Sequence, residues 1–380
     1  MAERTRQRIT ELDGLRAVAI LGVLFAHIWA FGCGAPALTI FGVDWNRLFS
    51  IFGTGVDLFF VISGFCMHLM FASKNTSLSA SNYRNFLWGR AKRIVPAYLV
   101  AMVFSAGVWV VSTGQWPLRE VLAHLVFGQT LVPGATKLAS PFWSLATEWH
   151  FYMVLPFLLF LGKKRGEPFA LWVFFLASVF CRALVLLWHN PPISLDMLLP
   201  SRLCEFVLGV AVSRQFQSGK PLPRLLSGTK GAALGFVVMF AGRLLMTDGI
   251  VRGRGFISML AMTINIPLLA LGYAMIVWNA IGSESIVAKA LRTAPMLWLG
   301  RVSYSFYLWH WFPALWIGAY FTTFFGARGF VPLLSTLVAT AALSPLAALS
   351  YRLFEAPYFA KRGNTAQGGG KSVSITEANL

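Results

Sequence analysis

The sequence predicts an all-α polytopic membrane protein of about ten transmembrane helices with both termini in the cytoplasm, and three observations carry that prediction. Hydrophobic residues make up 57% of the 380 and charged residues only 12%, too few to cover a soluble surface. The apolar residues fall in blocks of about 20, the length that crosses roughly 30 Å of hydrocarbon at ~1.5 Å per residue. The basic residues concentrate in alternate loops between those blocks, as the positive-inside rule requires.

Taken in order, the spans are expected at 14–33, 51–71, 94–112, 142–162, 168–188, 197–213, 230–247, 256–278, 296–320 and 330–350. The first holds Arg16 and His27 and lacks an A-x-A-like cleavage site, so it reads as a retained span and not a signal peptide. With the N-terminus inside, 22 of the 32 Lys and Arg fall on inner segments, among them Arg84, Arg90, Lys92 and Arg93 and the run 163–165. Only Arg47, Arg119, Lys137, Arg252, Arg254 and Arg328 fall outside, and that asymmetry sets the orientation. The stretch 120–132 is too short to span and is expected as an outer or half-inserted helix. Residues 9–359 thus read as one integral-membrane domain, and 360–380, with GGG and scattered polar residues, as a disordered cytoplasmic tail.

The net charge of +18 resembles a nucleic-acid signal until its residues are placed in the loops, where they serve topology and anionic lipids. Cys33, Cys66, Cys181 and Cys204 lack CxxC or metal spacing and read as small packing residues, with no metal expected. P-loop, dinucleotide-fold, HExxH and GxSxG motifs are absent. An aromatic content of 15% suits interfacial belts.

Ionisable groups inside spans are costly, so each is a functional candidate. Arg16 and His27 are 11 residues apart, about 20° past three helical turns, and so share a face ~16 Å apart along the axis. Two readings stay open from this spacing: Arg16 snorkels and His27 bonds a neighbouring helix, or both face a functional route. Glu148, Asp57 and His310 are expected at the outer-half level of His27, which points to a shared polar cavity. Arg90, Lys92 and Arg93 precede IVPAY, with Pro96 expected in an early turn of the third span. Arginine forks there match the phosphates of a cofactor as well as lipid headgroups. Arg202 and Glu205, at i,i+3, are expected to pair.

Together the motifs resemble the membrane-bound acyltransferase-3 family of bacterial glycan O-acetylases. ELDGLRAVAILGVLFAH carries its Arg-x10-His pattern at Arg16 and His27, GVDLFFVISGF resembles the second-span signature, and RAKRIVPAY the start of the third. FWSLATEWHFY resembles WSL-x-x-E, RVSYSFYLWH the S-Y-x-x-Y-L-x-H motif, and FEAPY the closing E-x-P. His150 departs from the pattern, since relatives often carry Gln there. The resemblance implies a stand-alone transferase without the esterase-like domain of some members, placed in the bacterial cytoplasmic (inner) membrane.

It also implies acetyl-CoA or another acyl-CoA as cytoplasmic donor, and as acceptor the hydroxyl of a surface glycan or exopolysaccharide, its lipid-linked precursor or a small hydroxylated molecule. On that reading Arg16, Arg90 and Arg93 hold CoA phosphates and Asp13 positions Arg16. His27 is the catalytic centre, as general base or as acyl carrier, with Glu148 or Asp57 orienting it. His310, Tyr304, Trp143 and Ser63 are the expected substrate-binding residues. The rival reading is a proton-coupled transporter or flippase using the same intramembrane His, Glu and Asp, against which stands the lack of a two-half repeat.

Overall fold

The first helix sets the frame. In the computed structural model, which describes residues 9–37, 39–40, 43–44, 49–73, 79–187, 195–246, 255–281 and 285–359, α1 spans Thr10–His27. Glu11 and Asp13 occupy its first turn, where unpaired N–H groups and the helix dipole favour acids. Immediately after His27 the chain makes a π turn over Ile28–Gly32, a device that inserts one residue into a helix and recurs at functional sites. A short antiparallel hairpin follows, β1 (Thr39–Ile40) with β2 (Val43–Asp44), Thr39 opposite Asp44.

Helices make up the rest: α2 (Gly55–Ser73), α3 (Ala80–Thr113), α4 (Leu118–Leu125), α5 (Trp143–Arg165), α6 (Glu167–Leu187), α7 (Leu199–Ser218), α8 (Gly228–Leu244) and α9 (Phe256–Ala280). After these come α10 (Ile286–Leu291), α11 (Ala294–Arg301), α12 (Ser303–Trp309), α13 (Trp311–Phe325) and α14 (Val331–Ser350). A second π turn, Tyr351–Glu355, closes the last of them. The protein is an all-α, multi-pass membrane protein.

Seven helices among the described residues are long and apolar enough to cross a membrane: α1, α2, α3, α5, α6, α9 and α14. The three other expected spans fall outside that set for separate reasons. The helix at 197–213 is α7, which carries Arg202, Glu205 and Arg214 and is buried against α2, α6 and α9 instead of facing lipid along its length. The helix at 230–247 is α8, only 17 residues long. The expected span 296–320 is broken into α11, α12 and α13, with breaks at Val302 and His310. Such breaks persist at membrane depth only where protein surrounds the freed backbone, and both residues are buried.

Two further expectations meet the structure. Helix α3 is capped by Ser79, whose Oγ accepts from the Asn82 N–H, and runs 34 residues, about 51 Å. Its basic segment is therefore helical, and Pro96 lies in the helix interior, not in an early turn. The expected outer helix is α4, whose Leu118, Leu122 and Leu125 are exposed while Ala123 and His124 are buried, the pattern of a helix lying along an interface. The expected tail at 360–380 lies outside the described residues.

Close approach of backbones holds α2 on α7. A Cβ on Gly64 would collide with the Phe206 carbonyl, and one on Gly209 with the Val61 carbonyl. Lipid gives helices no hydrophobic reason to associate, so small residues that permit dense backbone contact supply the dispersion energy. The rings of Phe60 and Phe151 stack on Phe206 from either neighbour, at 4.6 and 4.2 Å between centroids.

Candidate active site

A cavity opens between α1, α2, α3, α5 and α12. Three guanidinium groups line it, from Arg16 on α1 and from Arg90 and Arg93 on α3. The two α3 arginines are three residues apart, so one helical face presents both. Arg90 is 1% exposed. Its Nη2 donates to Met70 Sδ at 3.2 Å, and its guanidinium stands 5.9 Å from the Phe86 ring. Arg93 lies over the Phe359 ring at 5.3 Å. Arg16 donates from Nη1 to Asp13 Oδ1 at 3.2 Å and from Nη2 to Cys66 Sγ at 3.3 Å. Asp13 thus touches the arginine it is expected to position. Cys66, expected only to fill space, faces the cavity beside a guanidinium.

Glu148 is the carboxylate on the cavity wall. Its Oε1 accepts from Ser63 Oγ and from Tyr152 Oη, both at 2.6 Å. Tyr152 is one helical turn beyond Glu148, a spacing visible in the sequence but given no role there. Tyr304 also lines the cavity, its Oη donating to the Ile94 carbonyl at 2.8 Å. Tyr307 and Ser144 share a hydrogen bond of 2.7 Å, and Tyr307 Oη lies 2.6 Å from the Pro141 carbonyl it donates to. Both residues fall inside quoted motifs without having been singled out.

His27 and His310 lie off this cavity, joined to each other. His27 Nδ1 and His310 Nε2 are 2.8 Å apart, with the two rings edge to edge and near-parallel, their centroids 5.0 Å apart and their planes 18° from one another. His310, at the break between α12 and α13, bonds the Tyr307 carbonyl through Nδ1 at 2.6 Å, and the Tyr307 side chain lines the cavity. Tyr307 is therefore the residue that links the cavity to the histidine pair. Trp311 meets His27 edge-on at 5.1 Å.

The remaining expected partner of His27 is elsewhere. Asp57 Oδ1 accepts from Arg202 Nη1 at 3.0 Å, and the same nitrogen reaches Glu205 Oε1 at 3.3 Å, the expected i,i+3 pair. Trp143 covers that guanidinium at 5.2 Å and packs on Phe60. The four titratable groups expected at one level therefore fall into three clusters, and neither Asp57 nor Glu148 is the hydrogen-bond partner of His27. Depth along a helix is legible from residue counting, whereas the direction a side chain takes around the helix depends on neighbours far away in sequence. His150 does not line the cavity, so its departure from the family pattern leaves the wall unchanged.

The model of an acyltransferase domain matches residues 9–352. The chain is 24% identical to the O-acetyltransferase OatA of Staphylococcus aureus, over 91% of this chain and 56% of that protein. It is 27% identical to YrhL of Bacillus subtilis, a candidate peptidoglycan O-acetyltransferase, over 80% of this chain and 48% of that one. The chain thus spans about half the length of these relatives. No solved structure matches it significantly. With the match covering nearly all of the membrane helices, the chain belongs to the acyltransferase-3 family.

Proposed function

We propose that this chain is a membrane-embedded O-acyltransferase that moves an acyl group, most simply acetyl, from cytoplasmic acyl-CoA to a hydroxyl of a bacterial envelope glycan. The names of OatA and YrhL support an O-acetyl group and a peptidoglycan-like acceptor. The observation that carries the reading is the convergence of Arg16, Arg90 and Arg93 on one cavity that Tyr307 also lines, with the Tyr307 carbonyl bonded to His310 and His310 to His27. Guanidinium forks suit the phosphates of CoA, and a pantetheine arm is long enough for the ~16 Å from Arg16 to His27. Both termini and the basic end of α3 are then cytoplasmic, following the asymmetry of the loops.

In this mechanism Glu148 and Tyr304 meet the amide groups of the pantetheine arm on the cavity wall. His27 takes the proton of the acceptor hydroxyl as its oxygen attacks the thioester carbonyl. The C–S bond breaks, CoA thiolate leaves and receives that proton, and the products are the O-acyl glycan and CoA. The Asp57, Arg202 and Glu205 cluster holds α2 to α7 and takes no chemical part. A transporter would need its titratable groups in contact along a path, and their separation into three clusters argues against that use.

Purified protein given acetyl-CoA and an acceptor glycan tests this. Transfer is expected to fall about 10²–10⁴-fold in His27→Ala, and retained transfer would sink the assignment. Acetyl-CoA is also expected to protect Cys66 from alkylation, with Cys66→Ser as the control for the other thiols. Alkylation at an unchanged rate would remove the donor from the cavity.

A further inference from the structure

The histidine pair fixes which nitrogen reacts. The Tyr307 carbonyl oxygen can only accept, so His310 Nδ1, 2.6 Å away, carries a hydrogen. His310 is 0% exposed and its hydrogen-bond partners are that carbonyl and His27, with no carboxylate among them. A charged ring there would be buried without a counter-ion, so His310 is neutral and its Nε2 bears a lone pair. His27 Nδ1 lies 2.8 Å from that lone pair, and the hydrogen between them therefore belongs to His27. The series runs one way, from His27 Nδ1–H to His310 Nε2 and from His310 Nδ1–H to the Tyr307 carbonyl.

We infer that His310 is a positioning residue that holds His27 in its Nδ1-protonated tautomer, leaving Nε2 as the nitrogen that takes the proton of the acceptor. The catalytic consequence rests on the acyl-transfer reading above, and the tautomer does not. A backbone carbonyl and a neutral imidazole here do the work that a carboxylate does beside histidine in hydrolases. They orient the ring and accept its Nδ1 hydrogen. They also share the charge when Nε2 binds the hydroxyl proton, before that proton passes to the departing thiolate. The hydrogen bond to His310 and the perpendicular ring of Trp311 restrain the imidazole from flipping, which would exchange its two nitrogens. The arrangement needs the break between α12 and α13, because only there is the Tyr307 carbonyl open to a side chain three residues on.

Nitrogen NMR of detergent-solubilised protein labelled at the histidine rings tests this directly, with His27→Ala assigning the signal among the six histidines. The wild type is expected to give a protonated Nδ1 and an unprotonated Nε2 on His27, with coupling across the hydrogen bond to a second imidazole. His310→Ala is expected to move His27 towards the Nε2–H tautomer that free imidazole prefers. His310→Gln, which keeps an acceptor oxygen, is expected to restore the Nδ1–H form. In transfer assays kcat should fall about 10²-fold or more in His310→Ala and recover at least partly in His310→Gln, with acyl-CoA affinity unchanged in both. A wild-type His27 protonated on Nε2, or a tautomer indifferent to His310→Ala, overturns the inference. A tautomer that shifts while transfer stays at the wild-type level overturns the reading of His27 as base and leaves the positioning intact.

Discussion

Asp57 and Glu148 make an instructive pair. Both are acids in family motifs, both are expected in the outer half of their helices by residue counting, and the sequence offers both as partners for His27. Their surroundings separate them. Asp57 bonds a guanidinium that also serves Glu205 and is roofed by Trp143. Glu148 accepts from two hydroxyls and stands on the wall of the cavity that three arginines share. An acid whose partner is another buried charge is committed to holding helices together, because breaking the pair strands the partner in a low-dielectric interior. An acid held by hydroxyls keeps acceptor capacity for a ligand. A carboxylate at the same depth thus ties helices together in one place and lines the cavity in the other.

The largest expected effect tests the architectural side. Arg202→Ala should destabilise the solubilised protein by about 3–5 kcal/mol, since it leaves Asp57 and Glu205 facing each other without a cation. A melting temperature within about 2 °C of wild type would break the comparison. Next, Glu148→Gln should lower transfer about 100-fold, roughly 2.7 kcal/mol in the barrier, while thermal unfolding stays close to wild type. If Asp57→Asn costs more transfer per folded molecule than Glu148→Gln, the two assignments are reversed. The smallest effect belongs to Tyr152→Phe, which removes one of two donors to Glu148 and should cost about 0.5–1.5 kcal/mol. A calorimetric scan beside a transfer assay would sharpen the comparison by showing whether that loss falls on stability or on turnover.

How much of this was legible in the sequence depends on the range of the interaction concerned. Apolar blocks gave the helices around α1, α2, α3, α5, α6, α9 and α14, because hydropathy averages over the length of a span. The same averaging hides the break at His310, where a polar residue between two apolar runs marks an end to each. It also cannot show how α7 carries its charges, which partners on α2 and within the helix itself balance. Within one helix, residue counting found Arg16 with Asp13, Arg90 with Arg93, and Arg202 with Glu205. Between helices it placed His27 and His310 at one level but could not join them, since 283 residues separate them. Cys66 escaped notice for the same reason: only the fold brings the thiol to Arg16.

The π turn at Ile28–Gly32 has a consequence for how one helix can serve one neighbour twice. Gly32 packs against the backbone of Gly318 on α13, while His27 meets His310 at the start of that same helix. Five residues of regular α-helix would turn Gly32 about 140° away from the His27 face. The wider i→i+5 turn brings it back to within roughly 50°. The extra residue acts as a vernier, putting the His27 ring and the close-packing glycine in phase. Deleting a single residue from 28–32 would therefore unseat the C-terminal end of α1 from α13 while leaving the spacing from Arg16 to His27 in register.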